Sequence, residues 1–396
     1  MFDGLYDIDW SSMEHAYGSA GEVPELLLAL RSADGRERHR ALERFYNAVH
    51  HQGSVYPCTT ASLPFLFELA GDPATPDRAA VVGLLVSIGR VAVEEAEQEY
   101  ADLVDFAGAA VVMRARAQAF VALAADADPL VRRRAVAGLA LFLDDADRTL
   151  ALLRERLTAE PDLAERLQVL DAAALLATRL PAARAATLAW LAGLAADPAT
   201  NSATDPGTRL AAVVQRARCA PEQIGEDTVP AAIELLRELE HELTPDETWW
   251  TEPPSRTSPA DGTPPQVLAA FDDLDRRESV HALTTDLLRT FHQALDSRVP
   301  ERTELLAQRL RSPDPGACLD AIRMSGELVD AWRGDHSRLI ELIMPHLGPA
   351  GQEGPWLEVA AEAAAVLQLC HPIAEPAREA LAAYVLEQRT AHGPQV

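Results

Sequence analysis

The densest group of side chains able to do chemistry lies in residues 47–56, Asn-Ala-Val-His-His-Gln-Gly-Ser-Val-Tyr. Its imidazoles and amide can donate or accept hydrogen bonds, and histidine can also transfer protons or bind a metal. Two interpretations are open. In the first, Gly53 ends a helix in a left-handed turn and the histidines interact with the helix dipole. In the second, the segment is a binding rim formed by His50, His51, Gln52 and Tyr56, with Tyr17 and His15 as neighbours.

Metal binding and catalysis are not favoured by the motifs present. Adjacent His50 and His51 point in different directions from a helix, and the chain has neither H-E-x-x-H nor a zinc-type Cys/His spacing. It also has no G-x-S-x-G, and no cysteine has an obvious histidine partner in sequence. The 35 basic residues are all arginine, which excludes every lysine-based mechanism. We therefore predict no catalytic residue, no metal and no cofactor.

A second candidate site is the pair Trp249 and Trp250, which lies in residues 244–265. Six prolines in these 22 residues exclude a helix and indicate a long loop or linker. Long loops within compact repeat arrays are uncommon and are often functional. The two indoles can fold back onto the helices, or they can anchor a binding partner, and the sequence leaves both possibilities open.

Helices must position these groups, because one helix-start pattern recurs six times along the chain. In this pattern, Asp is followed by Ala or Val at +7 and by another apolar residue at +8, and four copies have Arg at +4. We expect each Asp to cap a helix N-terminus, and each Arg to reach back to it or across to the next unit's Asp. The pattern comprises Asp34, Asp72, Asp128, Asp162, Asp205 and Asp314, with Arg38, Arg132, Arg166 and Arg209.

This pattern resembles that of HEAT repeats, a family of α-solenoids, with its best match at residues 128–139, Asp-Pro-Leu-Val-Arg-Arg-Arg-Ala-Val-Ala-Gly-Leu. The successive Asp separations are 38, 56, 34, 43 and 109 residues, against about 40 to 47 for one HEAT unit. Residues 47–56 also resemble a segment of functionally uncharacterised actinobacterial HEAT-repeat proteins. The resemblance implies an all-α fold, a right-handed α-α superhelix of roughly eight to nine helical hairpins.

The proline-rich segment also divides the chain. We predict N-terminal HEAT-like repeats with an N-terminal cap over residues 1–243, the loop or linker over 244–265, and C-terminal repeats with a capping helix over 266–396. A cap is expected because a stack of repeats must cover its open end.

Composition limits the partners and the location. The net charge of −26 repels phosphate backbones and anionic membranes. Nucleic acid is therefore an unfavourable partner, whereas a basic protein or peptide is a favourable one. Four widely spaced cysteines indicate free thiols in a reducing compartment. The N-terminus has no signal-peptide pattern, and no apolar run approaches the ~18 residues that span a bilayer. We predict a cytoplasmic protein, from a bacterial genome rich in G and C.

These observations predict a non-enzymatic protein–protein interaction scaffold that binds a protein or peptide on a solenoid surface. One alternative is an immunity or antitoxin protein whose acidic surface masks a basic toxin. Another is an enzyme on a HEAT scaffold, either metal-dependent or similar to the HEAT-like DNA glycosylases. The sequence does not determine the oligomeric state.

Overall fold

The computed structural model describes residues 2–96, 103–196, 205–242, 280–332, 334–349, 354–370 and 375–392. The chain forms two compact units, residues 1–190 and residues 191–396. The predicted boundary segment 244–265, with Trp249 and Trp250, lies outside the described residues. The predicted division of the chain there stays a prediction.

Almost all regular structure in the described residues is helical. The α-helices are α1 Val23–Ala29, α2 Gly35–Arg44, α3 Pro57–Gly71, α4 Arg78–Glu94, α5 Phe106–Ala115, α6 Ala117–Leu123, α7 Pro129–Phe142, α8 Ala146–Ala159, α9 Leu163–Arg179, α10 Pro181–Ala195, α11 Pro206–Cys219, α12 Thr228–Glu242, α13 Val280–Ala294, α14 Val299–Arg309, α15 Pro315–Ala331, α16 Ser337–Ile343, α17 Pro355–Cys370 and α18 Glu375–His392. Short 3-10 turns lie at Leu5–Asp7, Trp10–Ser12, His51–Gly53, Pro221–Gln223 and Met344–Leu347, and a π-turn lies at Phe45–Val49.

Unit 1 has two layers of helices. Helices α4, α7 and α9 pack on one another in chain order, and α3, the α5–α6 pair and α8 pack beside them. The axes of α5 and α6 differ by 56°, so this pair is one bent helix of the second layer. Three phenylalanines join the layers: the Phe120 ring lies 5.7 Å from Phe67 and 4.9 Å from Phe142, between ring centroids.

Unit 2 repeats the same arrangement. Helices α11, α13, α15 and α17 pack successively in one layer, and α12, α14 and α16 pack successively in the other. Because each helix packs on the next but one in sequence, consecutive helices form hairpins that stack side by side, as in helical repeat proteins. The predicted all-α class of stacked helical hairpins is therefore confirmed.

Most of the predicted capping aspartates lie where the pattern placed them. Asp34, Asp128, Asp205 and Asp314 each precede a helix and accept a hydrogen bond from its first-turn amides. Asp162 precedes α9 without such a bond. The prediction for Asp72 is wrong, because this residue ends α3 and accepts from the Ala74 amide at 2.9 Å, while Asp77 occupies the N-cap of α4.

Two of the arginines at +4, Arg38 and Arg132, connect successive turns. Arg38 Nη1 donates to the Ser32 carbonyl at 2.8 Å, and its Nε donates to Asp77 of the next hairpin at 2.6 Å. Arg132 makes the same two connections, with Glu160 as its acidic partner in the next hairpin. The predicted contact with an Asp of the next unit is therefore present at Arg38, whereas Arg132 contacts a glutamate, Glu160, instead. In both cases a backbone carbonyl replaces the cap Asp as the second partner.

The N-terminal segment packs against α3. Trp10 is buried, its Nε1 donates to the Leu5 carbonyl at 2.7 Å, and its ring centroid lies 6.3 Å from that of Phe65. A short antiparallel ribbon follows, β1 Glu14–His15 with β2 Gly18–Ser19, in the register Glu14 to Ser19 and His15 to Gly18. The ribbon has no counterpart in the sequence prediction. Its two-residue loop, Ala16 and Tyr17, contributes to the candidate site.

All four cysteines are buried and none of them forms a disulfide, as their spacing predicted. No single described helix is both long and apolar enough to cross a membrane, while the bent pair α5–α6 passes a test of length and composition when its two parts are taken together.

Candidate functional site

Three of the predicted binding residues, His50, His51 and Gln52, lie just after the end of α2. The π-turn Phe45–Val49 passes into the 3-10 turn His51–Gly53, in which Gln52 and Gly53 have φ values of 49° and 83°. The left-handed conformation of Gly53 agrees with the sequence interpretation, and glycine adopts it without steric cost. For Gln52 the same left-handed conformation is sterically unfavourable, and the turn leaves its side chain exposed.

His50 points into the protein. Only 3% of its surface is exposed. Its Nδ1 lies 3.0 Å from the Ser54 carbonyl and its Nε2 lies 3.0 Å from the Ser87 hydroxyl. Nδ1–H therefore donates to Ser54, while Nε2 accepts from Ser87. Burial lowers the pKa of His50 despite the opposing hydrogen bond to Ser54, so the ring is neutral at pH 7. No ring nitrogen is left for a partner.

His51 and Tyr17 meet at the surface. The Tyr17 ring, 63% exposed, stands edge-on to His51 at 5.4 Å between ring centroids. The Arg44 guanidinium lies over the same tyrosine ring, 5.8 Å from its centroid. We call Tyr17, His51 and Arg44 the aromatic platform. Its members come from the β1–β2 loop, the 3-10 turn and the end of α2.

Buried and half-buried groups hold the platform in place. Arg44 Nε and Nη2 both lie 2.7 Å from Glu22 Oε1. The same oxygen lies 3.1 Å from His15 Nε2, and the Tyr17 amide donates to His15 Nδ1 at 3.1 Å. His15 therefore carries its proton on Nε2 and ties the tyrosine loop to Glu22. His51 Nδ1 lies 2.8 Å from the Asn47 carbonyl, which fixes the second ring.

The other predicted site residues lie at different places. Tyr56 is half-buried at the start of α3, where its amide donates to Thr59 Oγ1 at 3.0 Å. Gln52 is exposed next to His51. Of the predicted set, the structure therefore brings Tyr17 and His51 into contact and turns His50 inward. Whether any of these residues binds a partner stays a prediction.

Two members of this region had no place in the sequence prediction. Arg44 ends α2, and Tyr46 is 39% exposed with its ring 6.2 Å from His50. Although part of the residue is exposed, desolvation raises the pKa of the Tyr46 phenol against the opposing charge of Arg134, so the group stays a neutral hydrogen-bond donor. The available signal was spacing, because Tyr46 lies four residues before His50, the separation that places side chains on one helix face.

The platform side chains contact one another through their rings and the Arg44 guanidinium. Within the described ranges, no group of three or more His, Cys, Asp or Glu is arranged to hold a metal ion. Cys58, the cysteine nearest the platform in sequence, is buried, and burial raises the pKa of its thiol to about 11. Because the thiolate is the nucleophile, this cysteine is unreactive at neutral pH. An exposed tyrosine with a stacked arginine is instead typical of contact surfaces.

No protein-family model matches the chain, and no curated protein matches it. Among solved structures, it is similar to karyopherin Kap121p bound to the extreme C-terminus of the phosphatase Cdc14p, with 14% identity and a TM-score of 0.36 over 93% of this chain and 41% of that one. The chain is also similar to a structure of the Kap95:Nup1 complex, with 13% identity and a TM-score of 0.35 over 95% of this chain and 48% of that one. An engineered protein is similar with 16% identity and a TM-score of 0.29 over 92% of this chain and 82% of that one. The chain thus spans less than half the length of these two karyopherins.

The packing of helices within each unit defines the architectural class of this protein. The protein is built of stacked helical hairpins, the architecture of HEAT and related repeats, and the platform lies on the first hairpins of unit 1.

Proposed function

We propose that this chain is a non-enzymatic protein–protein interaction scaffold, and that the aromatic platform of unit 1 contacts its protein or peptide partner. The observation that carries the proposal is the exposure of Tyr17: this residue is 63% exposed, yet its ring contacts His51 and Arg44. Tyrosine and arginine are enriched among the residues that dominate binding energies at interfaces. Because these rings are already ordered, binding loses little side-chain entropy.

The charge of the chain supports a protein rather than a nucleic acid as the partner. A net charge of −26 opposes phosphate backbones. The location we propose is the cytoplasm, where four cysteines that form no disulfide stay reduced. Kinship with actinobacterial HEAT-repeat proteins is part of the same proposal. An immunity role, with one basic toxin as the partner, remains a narrower form of it and requires a single salt-sensitive partner.

Site-specific crosslinking in the native host tests this function. Tyr17 is replaced by p-benzoylphenylalanine in the full-length chain. Tyr6, 72% exposed and within the same N-terminal segment, is replaced in the same way as a matched control. We expect light to produce a discrete adduct with one protein from position 17 and none from position 6. Absence of an adduct at 17, or the same set of adducts from both positions, contradicts the proposal.

A quantitative measurement follows once the crosslinked protein is purified. Tyr17→Ala removes the exposed ring, and we expect its affinity to fall by roughly tenfold, the effect of about 1.4 kcal/mol. Tyr6→Ala removes an equally exposed ring away from the platform and should leave the affinity within about twofold. Equal losses in the two variants would show that the platform has no special role.

A further inference from the structure

A groove in unit 2 combines an apolar floor with an acidic rim. It has a volume of about 660 Å³ and lies between α12, α14 and the start of α16. Its size falls within the range of about 300 to 1,000 Å³ that is typical of ligand pockets. Val229 and Ile233 of α12 and Val299 of α14 supply apolar surface along it. The helices on its two sides pack on each other, so the groove is formed by consecutive hairpins.

The rim carries more acidic than basic side chains. Five carboxylates line the groove, and two guanidinium groups accompany them. Both arginines already have acidic partners, because Arg237 pairs with Glu234, and Arg338 Nη1 lies 2.9 Å from Glu304. The remaining lining carboxylates are Glu226, Glu301 and Asp335.

These three carboxylates are available to a ligand to different degrees. Glu226 and Asp335 are exposed, while Glu301 lies 3.8 Å from Arg298. Hydrogen bonds from the Ser337 hydroxyl and amide hold Asp335 in place and lower its pKa. It therefore presents a fixed negative charge at one end of the groove, while Glu226 precedes α12 on the other side. Cationic side chains placed near both would be neutralised without disturbing the two existing ion pairs.

We propose that this groove binds an extended basic segment of a partner protein, with arginine side chains at the rim carboxylates and an apolar side chain between them on the floor. Charge complementarity selects this occupant. The apolar floor adds specificity beyond net charge, because a purely electrostatic surface would attract any cation equally. This site lies in a different unit from the aromatic platform, so either site can fail its test without affecting the other.

A labelled peptide of alternating arginine and leucine is a suitable probe, used with the full-length chain and fluorescence anisotropy. Two peptides separate the two components of binding: one replaces each arginine by uncharged citrulline, and the other replaces each leucine by glycine. We expect the arginine–leucine peptide to bind, with affinity decreasing as salt rises, and both altered peptides to bind at least about fivefold more weakly. No binding of the first peptide, or equal binding of the glycine version, would overturn the proposal.

A charge-matched pair of variants locates the binding. Glu226→Gln with Asp335→Asn neutralises two rim carboxylates. Glu155→Gln with Glu341→Gln neutralises two exposed carboxylates outside the groove. Both variants change the net charge equally. We expect about a fivefold loss of peptide affinity in the first and less than about twofold in the second, with thermal melting of both showing that each is folded. Equal losses would assign the binding to the overall charge of the chain and reject the groove.

Discussion

Arg132 and Glu160 form a bidentate ion pair that joins two consecutive helical hairpins. Nε lies 2.8 Å from Oε1 and Nη2 lies 2.9 Å from Oε2. The third nitrogen, Nη1, donates to the carbonyls of Asp126 and Ala127, at 2.9 and 3.0 Å. One guanidinium therefore connects the turn before α7 with the turn between α8 and α9. The Glu160 side chain is only 3% exposed, so little water screens the pair.

Arg132→Met should be strongly destabilising, because it removes the closer partner of the buried Glu160 carboxylate and leaves the longer contact with Arg156, at 3.6 Å. We expect a loss of about 2–3 kcal/mol in the free energy of unfolding, measured by urea denaturation. Adding Glu160→Met should restore part of this loss, since no unpaired charge then remains. The exposed pair Arg338 and Glu304 provides the comparison, and Arg338→Met should cost less than about 1 kcal/mol. Similar costs for the two arginine variants would contradict the role of the buried pair.

The aspartates that precede α7 and α9 differ in whether their carboxylates accept a capping hydrogen bond. Asp128 Oδ1 accepts from the Leu130 amide at 2.9 Å, whereas Asp162 occupies the same position before α9 with no capping bond from its side chain. We expect Asp128→Ala to lower the thermal unfolding stability by about 1 kcal/mol, and Asp162→Ala to lower it by only a few tenths of a kcal/mol. The reverse order would refute the hydrogen-bond explanation of the repeat pattern.

Two helical glycines should respond in opposite ways to alanine. At Gly138, a Cβ would lie 2.2 Å from the Phe120 ring, which is itself packed between Phe67 and Phe142. Gly138→Ala should therefore cost about 1–3 kcal/mol. At Gly193 in α10, a Cβ meets nothing within 4 Å, so Gly193→Ala should raise stability by about 0.5–1 kcal/mol through helix propensity. Calorimetric melting of the two variants checks both signs, and a stabilising Gly138→Ala would contradict the close packing.

A buried histidine makes unit 2 sensitive to acid. Arg302 Nη2 donates to His292 Nε2 at 2.8 Å, which requires an unprotonated ring. Burial, together with the charge of Arg302, lowers the pKa of His292 to about 3. Below pH 6.5 the unfolded chain binds a proton that the folded chain does not bind, so this group's stability contribution is lost as pH falls from about 6.5 towards 3.

His292→Gln tests this acid sensitivity, because a glutamine oxygen can accept from Arg302 and does not titrate. Denaturation of the original chain and of the variant is compared at about pH 7.5 and about pH 5. The loss of unfolding free energy between the two conditions should be about 2 kcal/mol smaller in the variant. If the two proteins lose equal stability, His292 does not titrate as its surroundings imply.

Much of the fold could be predicted because the repeat pattern acts locally. A cap Asp bonds to amides two or three residues away, and a small residue at +7 lies on the same helix, so neither depends on distant contacts. The pattern failed at Asp72, where the turn is longer and Asp77 replaces it at the N-cap. The acidic partner of Arg132 was also missed, because Glu160 lies 28 residues away and belongs to another hairpin.

The candidate site was predicted only in part. Its segment was located from composition, but whether a histidine faces inward or outward depends on the chain reversal at Gln52 and on Ser87 of another helix. Tyr17 was named as a neighbour, but its contacts with His51 and Arg44 depend on a two-residue ribbon too short to leave a strand pattern.

The sequence by itself determined that this protein is an acidic, all-α chain of repeated helical hairpins, because capping, periodicity and charge are properties of neighbouring residues. Only the tertiary structure decided which surfaces the hairpins create. The aromatic platform and the unit 2 groove each combine side chains from separate elements, such as Glu226 with Asp335. Their juxtaposition follows from the stacking of one hairpin on the next, which short-range patterns do not specify.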